Sequence, residues 1–213
     1  MLRVIGIATT GNRPEQLDRT LESLKGQADR IYVWDNSEDG WYDFTDNGKF
    51  KFLELFEEPI YYFSCDDDII YPPDYIETTV KNIEQYQCIV SYHGRVLNPE
   101  VNLYYGYGHK EMRFFQHNPR EYVLDVCGTG VCGFRTDYFN PNKIYLSNYK
   151  RMSDLVFSLE AWKQGKQIVT PEKKHLWIQP QEVKSSIFKA ESKGGQEQQV
   201  KLMSEIWKLK NLG

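Results

Sequence analysis

Residues 3–35 read RVIGIATTGNRPEQLDRTLESLKGQADRIYVWD, and three short signals inside this stretch decide the fold class. Arg3–Ala8 is an apolar run stopped by Thr9-Thr10-Gly11, as expected of a buried strand. Pro14 suits the first turn of a helix, with Asn12 as its cap. Leu17, Leu21 and Leu24 recur at i, i+4, i+7 and give that helix one apolar face, which Gly26 ends. Ile31–Trp34 is a second buried strand. A strand–helix–strand unit of about thirty residues implies parallel strands joined by a crossover.

Downstream the alternation continues. Ile60–Ser64 predicts a third strand, ending at Asp66-Asp67-Asp68. Pro72-Pro73 opens a helix whose face carries Ile76, Val80 and Ile83, and Cys88–Tyr92 is a fourth strand. Residues 41–58 are less regular, and 94–120 show no period, which reads as a long loop or a small excursion. Val123–Phe134 alternates apolar residues with glycines. Ser153–Gly165 is helical, with Leu155, Leu159 and Trp162 on one face, and Gln167–Val169 is a short strand. Residues 184–198 are polar and loose, and Val200, Met203 and Trp207 mark a C-terminal amphipathic helix. This order predicts an α/β fold with a mixed, mainly parallel sheet flanked by helices and a ligand site outside the carboxyl ends of its strands. One domain over 1–213 is expected, in three parts: to about 92, over about 93–180, and a helical extension over about 181–213. The closing WKLKNLG looks like a helix end, which leaves room for further domains beyond it.

Composition narrows the function classes. With 40% hydrophobic and 26% charged residues, the chain is an ordinary globular protein, not a disordered one. No apolar run approaches the ~20 residues of a membrane span. The N-terminus turns polar early and lacks a cleavage pattern, so no signal peptide is expected. A net charge of −4 argues against a nucleic-acid partner. Cys65, Cys88, Cys127 and Cys132 are too irregularly spaced for a disulfide framework, and Cys127/Cys132 have no second pair for zinc; reduced, buried thiols in a cytoplasmic compartment are expected. Aromatic residues at 15% fit either a ring-stacking ligand or an aromatic core.

The sharpest chemical signal is the acidic triplet. Carboxylates ~4 Å apart repel by about 4 kcal/mol per pair at an effective dielectric of ~20. A divalent cation relieves that repulsion, and oxygen donors select Mg²⁺ or Mn²⁺, which shares its remaining positions with water and substrate phosphates. The plain alternative is a solvated acidic turn. A nucleotide diphosphate on such an ion needs a base and ribose pocket, for which two strand-end loops qualify: Ala8-Thr9-Thr10 with Arg13, and Asp35-Asn36-Ser37. Asp35 could accept a uracil N3–H or a ribose hydroxyl, or simply cap its loop. Arg13 could stack on the base, or be a solvated first-turn arginine.

Four runs in order, VIGIATTGNRPEQLDRTLESL…DRIYVWDNSEDG, YYFSCDDDIIYPPDYI, GTGVCGFRTDYF and MSDLVFSLEAWKQGKQIV, resemble the GT-A-fold glycosyltransferases of the family-2 group over residues 3–172. The resemblance implies a Rossmann-like GT-A fold and a metal-dependent transfer of a sugar from a nucleotide-sugar donor, a UDP-sugar, to a hydroxyl of a glycan or glycoprotein. It assigns Ala8, Thr9, Thr10 and Asp35 to uridine contacts. It assigns the triplet to the DxD motif, one Asp on the metal and another on the ribose or a metal-bound water. Asp66 and Asp68 match the spacing literally, while alignment of the Ile69-Ile70-Tyr71-Pro72 tail would put Cys65 at the first acidic position; Asp68 is a ligand either way, and Asp67 a nucleotide contact. Gly130, within Gly128–Gly133, would let backbone approach the donor sugar. Asp154 would be the general base, with Ser153 replacing the family's Glu; on residues alone the pair reads as a helix cap and a first-turn acid. His175 would be a late metal ligand, or merely an exposed histidine. Inversion and retention both remain open. Two other functions compete: a sugar-phosphate nucleotidyltransferase, disfavoured by the single glycine in TTGNRPEQ, and a non-catalytic nucleotide- or glycan-binding module.

Overall fold

The computed structural model describes residues 1–38, 43–105, 107–141, 143–182 and 196–211. Asp39 and Gly40 of the acidic loop, and most of the polar stretch expected at 184–198, lie outside the described residues.

Twelve strands and four α-helices are described. The strands are β1 (Arg3–Thr9), β2 (Arg30–Asp35), β3 (Tyr61–Asp66), β4 (Ile69–Ile70), β5 (Ile89–Ser91), β6 (Gly94–Val96), β7 (Lys110–Met112), β8 (Tyr122–Leu124), β9 (Val126–Cys127), β10 (Val131–Arg135), β11 (Ile168–Thr170) and β12 (Gln179–Pro180). The helices are α1 (Pro14–Leu24), α2 (Tyr75–Tyr86), α3 (Ser153–Lys163) and α4 (Glu197–Lys210). The main sheet has seven strands in the order β2-β1-β3-β10-β5-β11-β8. β2, β1, β3, β5 and β11 run one way, and β10 and β8 run against them. The fold is therefore the mixed, mainly parallel α/β sheet that the sequence predicts.

Both faces of the sheet are covered. Side chains alternate along a strand, so β1 sends Ile5 and Ile7 to the cluster that receives α1 and α2, and Val4 to a cluster on the other face. Leu17, Leu21 and Leu24 of α1 pack on the first of these, as their spacing predicts. A fully buried Ile or Leu contributes about 1.5–3 kcal/mol each, so one apolar face per helix is enough to seat it on the sheet. The helix cap differs from expectation: the N-cap position is Arg13, and Asn12 accepts a hydrogen bond from the Thr10 hydroxyl. Residues 45–55, irregular by sequence, form a 3-10 helix (Thr45–Leu55) under β1 and β2. The aperiodic stretch after 94 is an excursion: β6 and β7 join β9 in a small three-stranded sheet. α4 packs on α3 through Leu202, Met203 and Ile206. All four cysteines are free and buried. Among the described residues no helix is long and apolar enough to cross a membrane.

Register positions the site. Ala8 lies between Trp34 of β2 and Asp66 of β3, so the carboxyl end of β1 abuts the acidic triplet. From β1 the chain goes to one side for β2 and to the other for β3, and the crevice at such a switch is where open α/β sheets bind ligands.

Candidate functional site

A cavity of about 550 Å³ opens at that crevice, walled by the ends of β1 and β3, the 128–130 turn and the N-terminus of α3. It brings together Ala8, Thr9, Thr10, Arg13, Asp66, Asp67, Asp68, Gly130 and Asp154. Two expected residues are not in its wall. Asp35 caps its own loop, Oδ1 accepting from the Ser37 amide at 2.8 Å and the Ser37 hydroxyl at 2.6 Å. Its neighbour Asn36 reaches the cavity instead, but its amide already donates to the carbonyls of Thr9 and Thr45. His175 is exposed on the segment after β11 and does not line the cavity, so it does not join Asp66 and Asp68.

The triplet is not a solvated turn. Asp67 is buried; its Oδ2 accepts from the Thr9 hydroxyl at 2.7 Å, and its Oδ1 faces Arg13 Nη2 at 3.2 Å. Asp68 Oδ2 pairs with Arg13 Nη1 at 2.5 Å. Arg13 is thus neither solvated nor presented to a base: it braces two acids. Asp66 Oδ1 pairs with Lys49 Nζ at 2.5 Å. Burial pushes Asp68 up to about 6, reinforced by the charge of Asp66 and opposed by Arg13. Asp67 is raised as well, by burial, against the Thr9 hydrogen bond and Arg13. Cys65 is buried and does not line the cavity, so it does not stand in for a carboxylate there; burial pushes its thiol up to about 12.

Backbone geometry fixes the triplet. The Asp66 amide donates to the Tyr71 hydroxyl at 2.9 Å, and that hydroxyl donates to the Gly130 carbonyl at 2.5 Å. The Asp66 carboxylate lies against Gly130, where a Cβ would collide with Oδ2. Only glycine allows this approach without displacing the acid.

Sequence reasoning missed two residues on the 3-10 helix. Lys49 is buried, and its ammonium stays protonated because the charges of Asp66 and Asp46 outweigh its desolvation. Asp46 accepts from the Ser153 amide at 3.0 Å and the Ser153 hydroxyl at 2.6 Å, capping α3 from outside. Burial raises Asp46 despite Lys49 and Ser153. The available signal was an isolated Asp and Lys among aromatics in DNGKFKF, too weak without the partners.

Asp154 does not cap its own helix. Its Oδ1 accepts from the Thr129 amide at 2.8 Å and the Thr129 hydroxyl at 2.7 Å, while Oδ2 accepts no hydrogen bond from a described residue. Burial raises its pKa against those bonds and Lys49. An oriented carboxylate with one open oxygen and raised basicity is suited to take a proton.

Two more oxygens, Asp66 Oδ2 and Asp68 Oδ1, accept no hydrogen bond from a described residue. Six carboxylates and four cations line the cavity, and Arg95 among the cations already pairs with Glu111, so the cavity keeps a negative surplus. Among the described residues no three His, Cys, Asp or Glu side chains converge as a complete metal site. Two hard oxygens in a negative cavity fit a Mg²⁺- or Mn²⁺-like ion that completes its shell with water and phosphate. Of the aromatic residues, Trp177 packs on Tyr75 and Tyr92 and bonds Asp74, a structural role, and Tyr107 is exposed.

No family model matches the chain, and no curated protein matches it by sequence. Among solved structures the chain is similar to that titled "Crystal Structure of A197 from STIV", with 14% identity over 84% of this chain and 83% of that one and a TM-score of 0.43.

Proposed function

We propose that the chain is a divalent-cation-assisted glycosyltransferase that moves a sugar from a nucleotide-sugar, a UDP-sugar, to a hydroxyl of a glycan or glycoprotein. One observation carries this reading: the open oxygen of Asp154 shares a single cavity with the open oxygens of Asp66 and Asp68 and with the end of β1. A general base, a seat for a diphosphate counter-ion and a nucleoside-sized recess are the three parts the reaction needs.

Residues Ala8–Thr10 form the rim that receives the nucleoside, while the Thr9 hydroxyl holds Asp67 and Arg13 braces Asp67 and Asp68 beneath that rim. Lys49 holds Asp66 from beneath and offsets the charge of Asp46. Asp66 and Asp68 would hold Mn²⁺ or Mg²⁺, which when bound neutralises charge on the leaving diphosphate. Thr129 orients Asp154 so that Oδ2 takes the proton of the acceptor hydroxyl as that oxygen attacks the anomeric carbon and the UDP oxygen departs. A base acting on the acceptor, with no carboxylate assigned as nucleophile, corresponds to a single displacement and to inversion.

The test is incubation with a panel of UDP-sugars and Mn²⁺, reading UDP release and the anomeric configuration of any product by NMR. Donor consumption lost on Asp68→Asn supports the reading. Equal turnover by that variant overturns the metal role. Pyrophosphate release from UTP and a sugar phosphate would make the chain a nucleotidyltransferase, and cation-dependent UDP binding with no donor consumed would make it a binding module.

A further inference from the structure

Three oxygen–oxygen contacts run in an unbroken line from the 3-10 helix to the base, and the mechanism above uses only the last of them. Asp46 Oδ2 lies 2.6 Å from Ser153 Oγ, Ser153 Oγ lies 2.9 Å from Thr129 Oγ1, and Thr129 Oγ1 lies 2.7 Å from Asp154 Oδ1. Both hydroxyl residues are buried, and both acids are half-buried in the cavity wall. Backbone amides fix the two ends: the Ser153 amide donates to Asp46 Oδ2 at 3.0 Å, and the Thr129 amide to Asp154 Oδ1 at 2.8 Å.

Three such contacts need three hydrogens. A hydroxyl supplies one, and an ionised carboxylate supplies none. With both acids ionised, Ser153 donates to Asp46 and Thr129 donates to Asp154, and the contact between the two hydroxyls has no hydrogen. Turning either hydroxyl toward the other leaves one carboxylate short instead. One further proton, on either acid, completes the line in a single direction: Asp46 to Ser153 to Thr129 to Asp154, or the reverse. A complete chain of this kind polarises along its length and is stronger than its separate bonds.

We propose that Asp46 and Asp154 hold one proton between them through the Ser153 and Thr129 hydroxyls, and that Asp46 is thereby a positioning residue for the base. Passing the proton from one end to the other moves three hydrogens by one oxygen each: from Asp46 Oδ2 to Ser153 Oγ, from Ser153 Oγ to Thr129 Oγ1, and from Thr129 Oγ1 to Asp154 Oδ1. The negative charge changes ends and nothing else is consumed. With the proton at Asp46, Asp154 is ionised and Oδ2 is free to take the acceptor's proton; with the proton at Asp154, the base is off. That consequence rests on the transferase reading, whereas the shared proton does not. The surrounding charges agree with a single negative charge on the pair. Lys49 faces both acids but is already paired with Asp66, and Asp66 repels Asp154. Arg95 and Tyr104 also face Asp154, and Arg95 is bonded to Glu111. Burial raises both acids, and the charge of Asp154 raises Asp46 further.

The experiment is a pH titration of the full chain, isotope-labelled at the aspartate carboxyls and followed by carbon NMR, with Asp46→Asn and Asp154→Asn assigning the two signals by deletion. In the parent at pH 7 the two signals together should account for one proton, and both should move in the same two steps. Thr129→Val cuts the line: the two acids should then titrate separately, and the proton held at pH 7 should leave about one pH unit lower. Thr129→Ser keeps the hydroxyl and should restore the parent's behaviour. Two fully ionised carboxyls in the parent at pH 7 overturn the proposal, a result that needs no variant to fold beyond those used for assignment. Titration left unchanged by Thr129→Val overturns it as well. No substrate enters the measurement, so a chain that shares the proton but binds no UDP overturns the transferase reading alone, and a chain that transfers sugar with both acids ionised overturns the shared proton alone.

Discussion

On the β1/β3 side of the cavity, Asp66, Asp67 and Asp68 are braced by Lys49 and Arg13, yet two carboxylate oxygens stay open. On the β6 side, Arg95 is taken up by Glu111 and covered by Tyr104, and the neighbouring His93 is neutral. The first wall keeps negative charge and raised pKa values at Asp67 and Asp68; in the second, Arg95 shares the Glu111 carboxylate with Arg113. Buried acids held in excess cost stability, and they persist where a ligand or ion balances them. Charge is therefore distributed unevenly within a single cavity, whose lining also includes Asp154.

The largest effect expected from breaking this arrangement is on turnover. Asp154→Asn keeps the shape and the Thr129 bonds but removes the proton acceptor, so transfer should fall by about 10²–10⁴ while UDP affinity is retained. Single-turnover kinetics beside calorimetry would check this, and a variant within a few-fold of the parent would place the base elsewhere.

Next come the two buried cations, one per wall. Lys49→Met leaves half-buried Asp46 and Asp66 without their shared cation, at a cost of about 2–4 kcal/mol. Arg95→Met should cost less, about 1–2 kcal/mol, because Glu111 keeps Arg113 as a partner. Urea unfolding of both variants measures the difference, and the reverse order would mean that the charged wall is not the strained one.

Glycine substitutions sharpen the comparison locally. In Gly130→Ala the new Cβ displaces the Asp66 carboxylate, so Mn²⁺ binding should weaken about tenfold, with a stability loss of about 1–3 kcal/mol. Gly26→Ala is the control. No atom lies within 4 Å of a Cβ there, and the φ of +75° costs only about 1–2 kcal/mol. Its ion affinity should not move. Isothermal titration with Mn²⁺ distinguishes the two.

The smallest effect lies under the second wall. Lys173 is buried, donates to the carbonyls of Arg113 and Gln116 beside Phe114, and is lowered to about 8 by desolvation. Its folded pKa is below the unfolded value near 10.5, so between these values the unfolded chain binds more protons and this residue's contribution to stability rises with pH. The parent should therefore gain about 1 kcal/mol relative to Lys173→Gln between pH 8.5 and pH 9.5. Chemical denaturation at the two pH values tests this, and parallel pH curves for the two proteins would refute it.

Legibility in the sequence followed the range of the interaction. The leucines of α1, the prolines before α2 and the apolar run of β3 announce themselves through spacing and turn chemistry, which act within a few residues. The acidic triplet and the Gly128–Gly133 run were legible as local motifs. At Asp35 the sequence leaves two roles open, because a strand-end acid that binds a ligand and one that caps its own loop look alike; the structure adds the bonds from Ser37. The same holds for His175: its position after β11 says nothing of the direction in which the segment leaves the sheet.

By itself the sequence determined the alternation of strands and helices, the placing of three carboxylates at a strand end, and an ordinary globular composition, since each depends on residue type and short-range period. Tertiary structure alone decided which acids are engaged and which oxygens stay open. Lys49 meets Asp66 across 17 residues and Asp46 caps Ser153 across 107. The electrostatics of a buried carboxylate are set by neighbours that only folding brings to it, because desolvation and Coulomb attraction depend on distance in space and not on separation along the chain.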